Sequence, residues 1–323
     1  GIQASVVAFG AWALGGWRWG GSDEQASIDA LHAGLDAGIN FIDTAPAYGF
    51  GRGEEIVGKA FEGRRDKVVI ATKCGLSWET TKGAFFFAAD DKGRSEQGRY
   101  RIHKYCGAEA IRTGLEGSLR RLRSDYVDLY LTHWQDPTTP VEDTMDVLLD
   151  LKRQGKIRAI GACNASGEDL ERYRSRGALD ADQERYSLID RQAEAGNLPW
   201  CRANGAALLA YSPLAHGLLT GTIRAGRKFS EGDLRLDLPR FKPEGLEKAS
   251  RLAVTLGQVA GARGVSITQL VIAWTVSRPG VTHALVGARS AAQARENAAA
   301  GSLALSDEEL LRIDRAAQES GLL

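Results

Sequence analysis

Short apolar runs alternate with longer stretches in which apolar positions recur every three or four residues, and the alternation persists from one end of the chain to the other. Runs of the first kind, rich in β-branched residues and bounded by Gly, Pro or Asn, predict strands; stretches of the second kind predict amphipathic helices. Strand candidates fall at residues 5–12, 40–43, 68–72, 127–132, 157–162, 182–188, 206–211 and 283–286. Between the first two, Ser22-Asp23-Glu24-Gln25 gives a capping-box start, and Ile28, Leu31, Leu35 and Ile39 follow at helical spacing. Further helices are predicted over 54–61, then around Ile111, Leu115, Leu119 and Leu122, then from Thr139-Pro140-Val141-Glu142, where a proline takes the first helical position. Others run from Ser166 to about 177, over 192–204, 246–262 and 267–277, and from Ser290 and Ser306 onward.

Two segments break the rhythm. Residues 76–105 show no period, carry Phe85-Phe86-Phe87 among charges and glycines, and read as a long surface loop, a length that usually signals function. Residues 215–245 read as an insertion after the seventh strand. Eight strand–helix units joined by right-handed crossovers predict a parallel (β/α)8 barrel, with the loop after strand three, the insertion after strand seven and a C-terminal extra helix. No linker or repeat divides the chain, so residues 1–323 are expected to form one domain. In such barrels the chemistry sits at the C-terminal ends of the strands.

Charge and composition narrow the partners. The 41 basic and 41 acidic side chains cancel, which offers nothing to nucleic acid or an acidic membrane. With 43% hydrophobic and 25% charged residues, a globular protein with a sizeable core is expected. No apolar run approaches the ~20 residues that span a bilayer, and no secretory signal is visible at the start. Cys74, Cys106, Cys163 and Cys201 lack CxxC spacing, which favours reduced thiols and a cytoplasmic location. The five histidines, at 32, 103, 133, 216 and 283, form no HxH or HExxH pair, so no metal is expected.

The strand ends carry the chemistry. Asp43 ends the second strand with Tyr48 just beyond it, Lys73 ends the third and His133 follows the fourth. A carboxylate at the tip of an apolar strand needs a cation, and Lys73 is the available one. An ammonium beside a phenol favours the phenolate, so Lys73 is expected to lower the Tyr48 pKa and make it a better acid, while Asp43 keeps the lysine charged. His133 would hydrogen-bond and orient a carbonyl oxygen. Taken singly, Asp43 and Lys73 read equally well as a structural ion pair, Tyr48 as a packed turn aromatic and His133 as a core histidine. The four together at matching strand ends point to proton chemistry on a carbonyl. Cys74 should face away from Lys73, because neighbouring strand residues point to opposite sides.

The motifs Asn40-Phe41-Ile42-Asp43-Thr44-Ala45 with Tyr48-Gly49, Ala71-Thr72-Lys73, Asp128-Leu129-Tyr130 with His133-Trp134, Tyr211-Ser212-Pro213-Leu214, and Glu296-Asn297 make the chain similar to the aldo-keto reductases over nearly its full length. The Gly-Trp-rich first loop and the long insertion are most similar to the bacterial general-stress and sugar-reductase branch. The resemblance implies hydride transfer between a nicotinamide dinucleotide, NADP(H) preferred and NAD(H) possible, and a small-molecule carbonyl: an aldehyde, a ketone or an open-chain sugar. It implies catalytic roles for Asp43, Tyr48, Lys73 and His133, with Tyr48 as general acid. It places Asn164 and Gln183 on the nicotinamide carboxamide, Tyr211 on the ring, and Ser212, Pro213, Leu214, Ala215 and His216 along the pyrophosphate, with Ala11, Trp12 and Asp43 also at the cofactor. Gly287, Arg289, Gln293, Glu296 and Asn297 are assigned to the adenosine end, where a capped helix N-terminus favours phosphate. The family frequently has Ser where this chain has Cys163, a poorer hydrogen-bond partner. Preference for the 2′-phosphate rests on Arg289 and on Arg240, folding over from the insertion; a lysine often found after strand seven is replaced by Thr222. Trp17 and Trp134, with Trp19, Tyr186 and Phe85 to Phe87, would line an apolar substrate mouth. The alternative is a non-catalytic NADPH-binding regulatory subunit resembling the potassium-channel β-subunits, which have Asn where this chain has His133.

Overall fold

A computed structural model describes residues 1–223 and 226–323. Eight parallel strands close a barrel in the order β1 (Val7–Gly10), β11 (Val281–Val286), β10 (Ala207–Tyr211), β9 (Ala181–Arg185), β8 (Ile157–Cys163), β7 (Val127–Thr132), β3 (Val69–Cys74) and β2 (Phe41–Asp43). The order follows the sequence once three extra strands are set aside, as the predicted barrel requires. Ten helices lie among the described residues: α1 (Glu24–Asp36), α2 (Arg52–Ala60), α3 (Ala108–Leu122), α4 (Val141–Arg153), α5 (Gly167–Arg176), α6 (Asn197–Asn204), α7 (Pro243–Ala262), α8 (Ile267–Ser277), α9 (Ala291–Ala299) and α10 (Asp307–Ser320).

Period-two alternation sorts each strand's side chains into two layers. Val69 and Ala71 of β3, Leu129 and Leu131 of β7, Phe41 of β2, Ala181 of β9 and Leu209 of β10 fill the barrel interior. Ile70 and Cys74 of β3 and Tyr130 of β7 instead join the apolar layer beneath the helices. Continuing the inward rows one step toward the C-terminal rim reaches Asp43, Lys73, His133, Gln183 and Tyr211. The top rung of the barrel is therefore polar, whereas the rows below it are mainly apolar, with His283 against Phe41 as the polar exception, and Cys74 faces away from the top rung, as expected.

Several boundaries differ from the sequence reading. The first strand stops at Gly10, and the chain enters a 3-10 turn over Ala11–Gly15. The sixth stops at Arg185, and Ser187 and Asp190 close a turn where strand was expected. The α1 cap is Asp23, whose carboxylate accepts from Ala26 N, so Ser22 does not form the expected box. Pro140 occupies the N-cap of α4 and not its first turn. Ser166 and Ser306 do form capping boxes. The larger correction is residues 76–105, which are a three-stranded antiparallel sheet, β4 (Leu76–Ser77), β6 (Tyr100–Lys104) and β5 (Ala84–Ala89), rather than a loop. A bulge between Phe85 and Phe87 shifts the register and breaks the alternation that would have announced β5.

Among the described residues no single helix is long and apolar enough to cross a membrane. Helices α7 and α8 pass that test only together; they meet at an 89° bend and bury apolar faces in the core.

Candidate active site

Lys73 is the organising group. Its ammonium is buried, with 1% of the residue exposed, and each of its three N–H donors has an acceptor: Asp43 Oδ1 at 2.7 Å, the Thr44 carbonyl at 3.0 Å and Tyr48 Oη at 3.2 Å. Gln183 Nε2 donates to the same Asp43 oxygen at 2.8 Å, so the carboxylate is doubly held. Because Lys73 donates to the phenol oxygen, the hydroxyl hydrogen of Tyr48 is left for another acceptor. The His133 ring stands edge-on to Tyr48, with ring centres 5.9 Å apart.

The electrostatics differ in one respect from the sequence expectation. Burial pushes the Tyr48 phenol above its ordinary value; Lys73 pulls it down, as anticipated, but the pull does not overcome burial, and Asp43 adds to the rise. Burial alone would push the Lys73 ammonium down, but Asp43 and Tyr48 more than offset that and hold it above its usual value. Burial, then Lys73, drives His133 well below the ordinary imidazole range. The cluster at neutral pH is thus a charged lysine between a carboxylate and a protonated phenol, beside a neutral histidine.

A cavity of about 380 Å³ opens above Asp43 and Tyr48. Trp12 and Trp19 form one wall, Tyr211, Ser212, Pro213, Leu214 and His216 another, and Gly287, Arg289, Gln293, Glu296 and Asn297 the far end. Ala11 and Ala215 lie fully buried just behind these walls. Asn164 accepts a hydrogen bond from the Tyr211 hydroxyl at 2.8 Å and donates to the His133 carbonyl at 2.9 Å, which ties the Tyr211 wall to the segment that carries His133. Cys163 sits between Gln183 and Asn164, its thiol 3.5 Å from Gln183 Oε1 and 3.1 Å from Asn164 Nδ2.

Tight backbone approach fixes the first loop against the Tyr48 turn. A Cβ on Gly15 would lie 2.4 Å from the Tyr48 carbonyl, and one on Gly49, itself at φ 71°, equally close to the Gly15 carbonyl. Ser212, Ala215 and His216 all adopt positive φ, so the wall after β10 holds backbone strain of the kind that clusters at functional sites.

Four sequence candidates lie elsewhere. Arg240 makes a bidentate pair with Asp190, at 2.9 and 2.8 Å, and does not line the cavity. Trp17 stacks on Phe87 and donates to the Asp90 carbonyl; Trp134 packs against Phe86 under the Lys104 ammonium. Tyr186 is buried against Trp274, away from any mouth. Conversely Gly10, Thr220, Ser266 and Thr268 line the cavity without having been singled out. Ser266 was legible as the cap of α8, but only the closed barrel brings that cap to the site. Arg240→Ala is expected to leave dinucleotide affinity unchanged while lowering stability by about 1–2 kcal/mol through the loss of a half-buried pair, as a thermal-shift titration would show.

A parallel eight-stranded barrel whose polar top rung carries Asp43, Lys73 and His133, with Tyr48 on the turn above it, defines a class, and the chain belongs to it: it is a member of the aldo/keto reductase family, whose family model matches residues 6–318. It is 39% identical over 296 residues to the aldo-keto reductase YhdN of Bacillus subtilis, covering 91% of this chain and 84% of the relative. It is also 39% identical over 312 residues to an NADH-specific methylglyoxal reductase of Escherichia coli, covering 95% and 92%. Among solved structures it superposes on a glycerol dehydrogenase from Gluconobacter oxydans with a TM-score of 0.88 at 35% identity, covering 100% of this chain and 94% of that one. An aldo/keto reductase from Klebsiella pneumoniae in complex with NADP and acetate gives 0.70 at 31%, covering 96% and 90%.

Proposed function

We propose that the protein is a single-domain, NAD(P)H-dependent carbonyl reductase in which Tyr48 is the general acid. The observation that carries this reading is the Lys73 ammonium, held by Asp43 and the Thr44 carbonyl and set 3.2 Å from the Tyr48 oxygen.

The cavity residues suit a dinucleotide. Trp19 and His216 in its walls each keep a buried ring nitrogen without a partner. Arg289 is the one arginine or lysine of the described lining, beside the N-terminus of α9, which Ser290 caps. These features favour NADP(H), with NAD(H) acceptable; the Klebsiella relative bound to NADP and the NADH-specific relative from Escherichia coli mark the same two options. Tyr211, Asn164 and Gln183 would face the nicotinamide, and Gln293, Glu296 and Asn297 the adenosine.

When bound, the reduced nicotinamide supplies a hydride to the carbonyl carbon. The protein supplies the rest. Tyr48 gives its proton to the oxygen as negative charge builds there, Lys73 stabilises the phenolate left behind, and Asp43 with Gln183 keeps the lysine in place. Neutral His133 hydrogen-bonds the carbonyl oxygen and sets its direction.

With the phenol raised and the imidazole lowered, neither changes charge near neutrality. The reductive rate is therefore expected to stay flat from about pH 6.5 to about pH 9; a limb titrating near 7 would show a charged His133 taking part. The test of the assignment is a thermal-shift comparison of the two dinucleotides, followed by turnover of small aldehydes, ketones and open-chain sugars with the tighter one. Binding without turnover of any carbonyl would return the protein to the non-catalytic alternative.

A further inference from the structure

Arg289 has a second set of partners. Its Nη2 donates to the Gly21 carbonyl at 2.8 Å and its Nη1 to the Trp19 carbonyl at 3.2 Å, across 268 and 270 positions of sequence. Its own backbone N–H is fixed by Gln293 Oε1 at 2.8 Å, so the side chain leaves from a braced position at the head of α9.

The segment it reaches, residues 16–21, is a loop with few holds of its own. Trp19 N and Gly21 N both return to the Gly16 carbonyl. On the opposite flank Leu234 N donates to the Arg18 carbonyl at 2.9 Å, Arg18 pairs with Asp237, and the Arg235 guanidinium lies 5.4 Å from the Trp19 ring centre. The loop is thus moored on one side to the turn around 234–237, through Trp17 to the Asp90 carbonyl and the Phe87 ring, and on the cavity side, among the described residues, to Arg289 alone, and between these moorings Trp19 forms part of the cavity wall. Trp19 meets Trp12 edge-on at 5.4 Å, and Trp12 stacks on Tyr48 at 6.1 Å.

We propose that Arg289 is a clip that ties residues 16–21 across the dinucleotide cavity, so that the loop and a phosphate at the adenosine end are held by one guanidinium. A guanidinium has five N–H donors and the two carbonyls take two of them, which leaves a face for phosphate oxygens without releasing the loop. Arg289 is then a positioning residue as well as a charge: it sets how long the ligand stays by closing the wall over it. A lysine would keep the charge but, lacking the planar fork, would not span both carbonyls and a phosphate together. The ligand side of this inference rests on the dinucleotide reading above; the clip itself is a property of the free protein.

The experiment follows trypsin cleavage after Arg18 by mass spectrometry in the free protein, and stopped-flow release of NADPH and NADH, for the wild type, Arg289→Gln and Arg289→Lys. Arg289 is exposed, so neither variant threatens the core. Both variants are expected to speed cleavage after Arg18 by about three- to tenfold without ligand, the scale of losing two exposed charge-assisted hydrogen bonds. NADPH should protect the wild type more than NADH does, and Arg289→Gln should lose that difference, while Arg289→Lys recovers part of the NADPH affinity and none of the slow release. Unchanged cleavage in the free Arg289→Gln protein would overturn the clip even if NADPH affinity fell, because Arg289 would then be a phosphate ligand alone. Failure of both dinucleotides to bind the wild type would instead count against the proposed function, and cleavage in the free protein would still decide the clip.

Discussion

Tyr48→Phe is expected to lower kcat by about 10³-fold, while the Kd for the dinucleotide moves less than about twofold. The phenol ring stacks under Trp12 and stands against His133, and phenylalanine keeps both contacts. What is lost is one oxygen: the acceptor of a Lys73 hydrogen bond and the donor to a developing alkoxide. That oxygen matters when charge appears on the substrate, so turnover should suffer and binding should not. Lys73 keeps Asp43 and Thr44 as partners, so the fold should survive. Single-turnover kinetics with a small aldehyde, beside fluorescence titration of the dinucleotide, measures both quantities. Activity within about tenfold of wild type would remove Tyr48 from its role and make His133 the acid.

Lys73→Met is expected to be costly twice over. Methionine matches the stem but leaves the buried Asp43 carboxylate with only the Gln183 amide as a side-chain donor among the described residues, and an uncompensated buried charge of this kind costs about 3–5 kcal/mol. Reductive turnover should fall by at least about 10²-fold, because the phenolate forming at Tyr48 loses its cation. The two effects separate in the double variant Asp43→Asn with Lys73→Met. Removing both charges should recover most of the stability in urea denaturation and none of the activity, a coupling that a double-mutant cycle reads directly. Equal stability of the single and double variants would mean that Asp43 does not remain charged once the lysine is gone.

Much of the site was readable because barrel geometry is so regular. Once eight apolar runs are placed in parallel, every second side chain points inward, and a run that ends in Asp, Lys or His must deliver that group to the same rim. Asp43, Lys73 and His133 follow from this rule, and Tyr48 follows from its distance past a strand end. The walls obey no such rule. Trp17 and Trp19 are two residues apart, yet only Trp19 reaches the cavity, because Trp17 turns outward to stack on Phe87 and bond the Asp90 carbonyl. Arg240 looked available until Asp190, fifty positions away, was seen to hold both arms of its guanidinium. The sheet within 76–105 was hidden by one bulge, which destroys the period on which strand detection depends. The phenol's raised pKa was out of reach for a different reason: a sequence shows which charge stands nearby but not how much water has been removed, and here burial wins.

The polar rung and the loops around it change at different costs. Asp43 and Lys73 end strands whose lower side chains are already locked in the barrel, while the cavity wall comes from turns, helix starts and a long excursion after β10. The walls can therefore be redrawn residue by residue without disturbing the Asp43–Lys73 pair, and drift in selectivity should leave that pair intact.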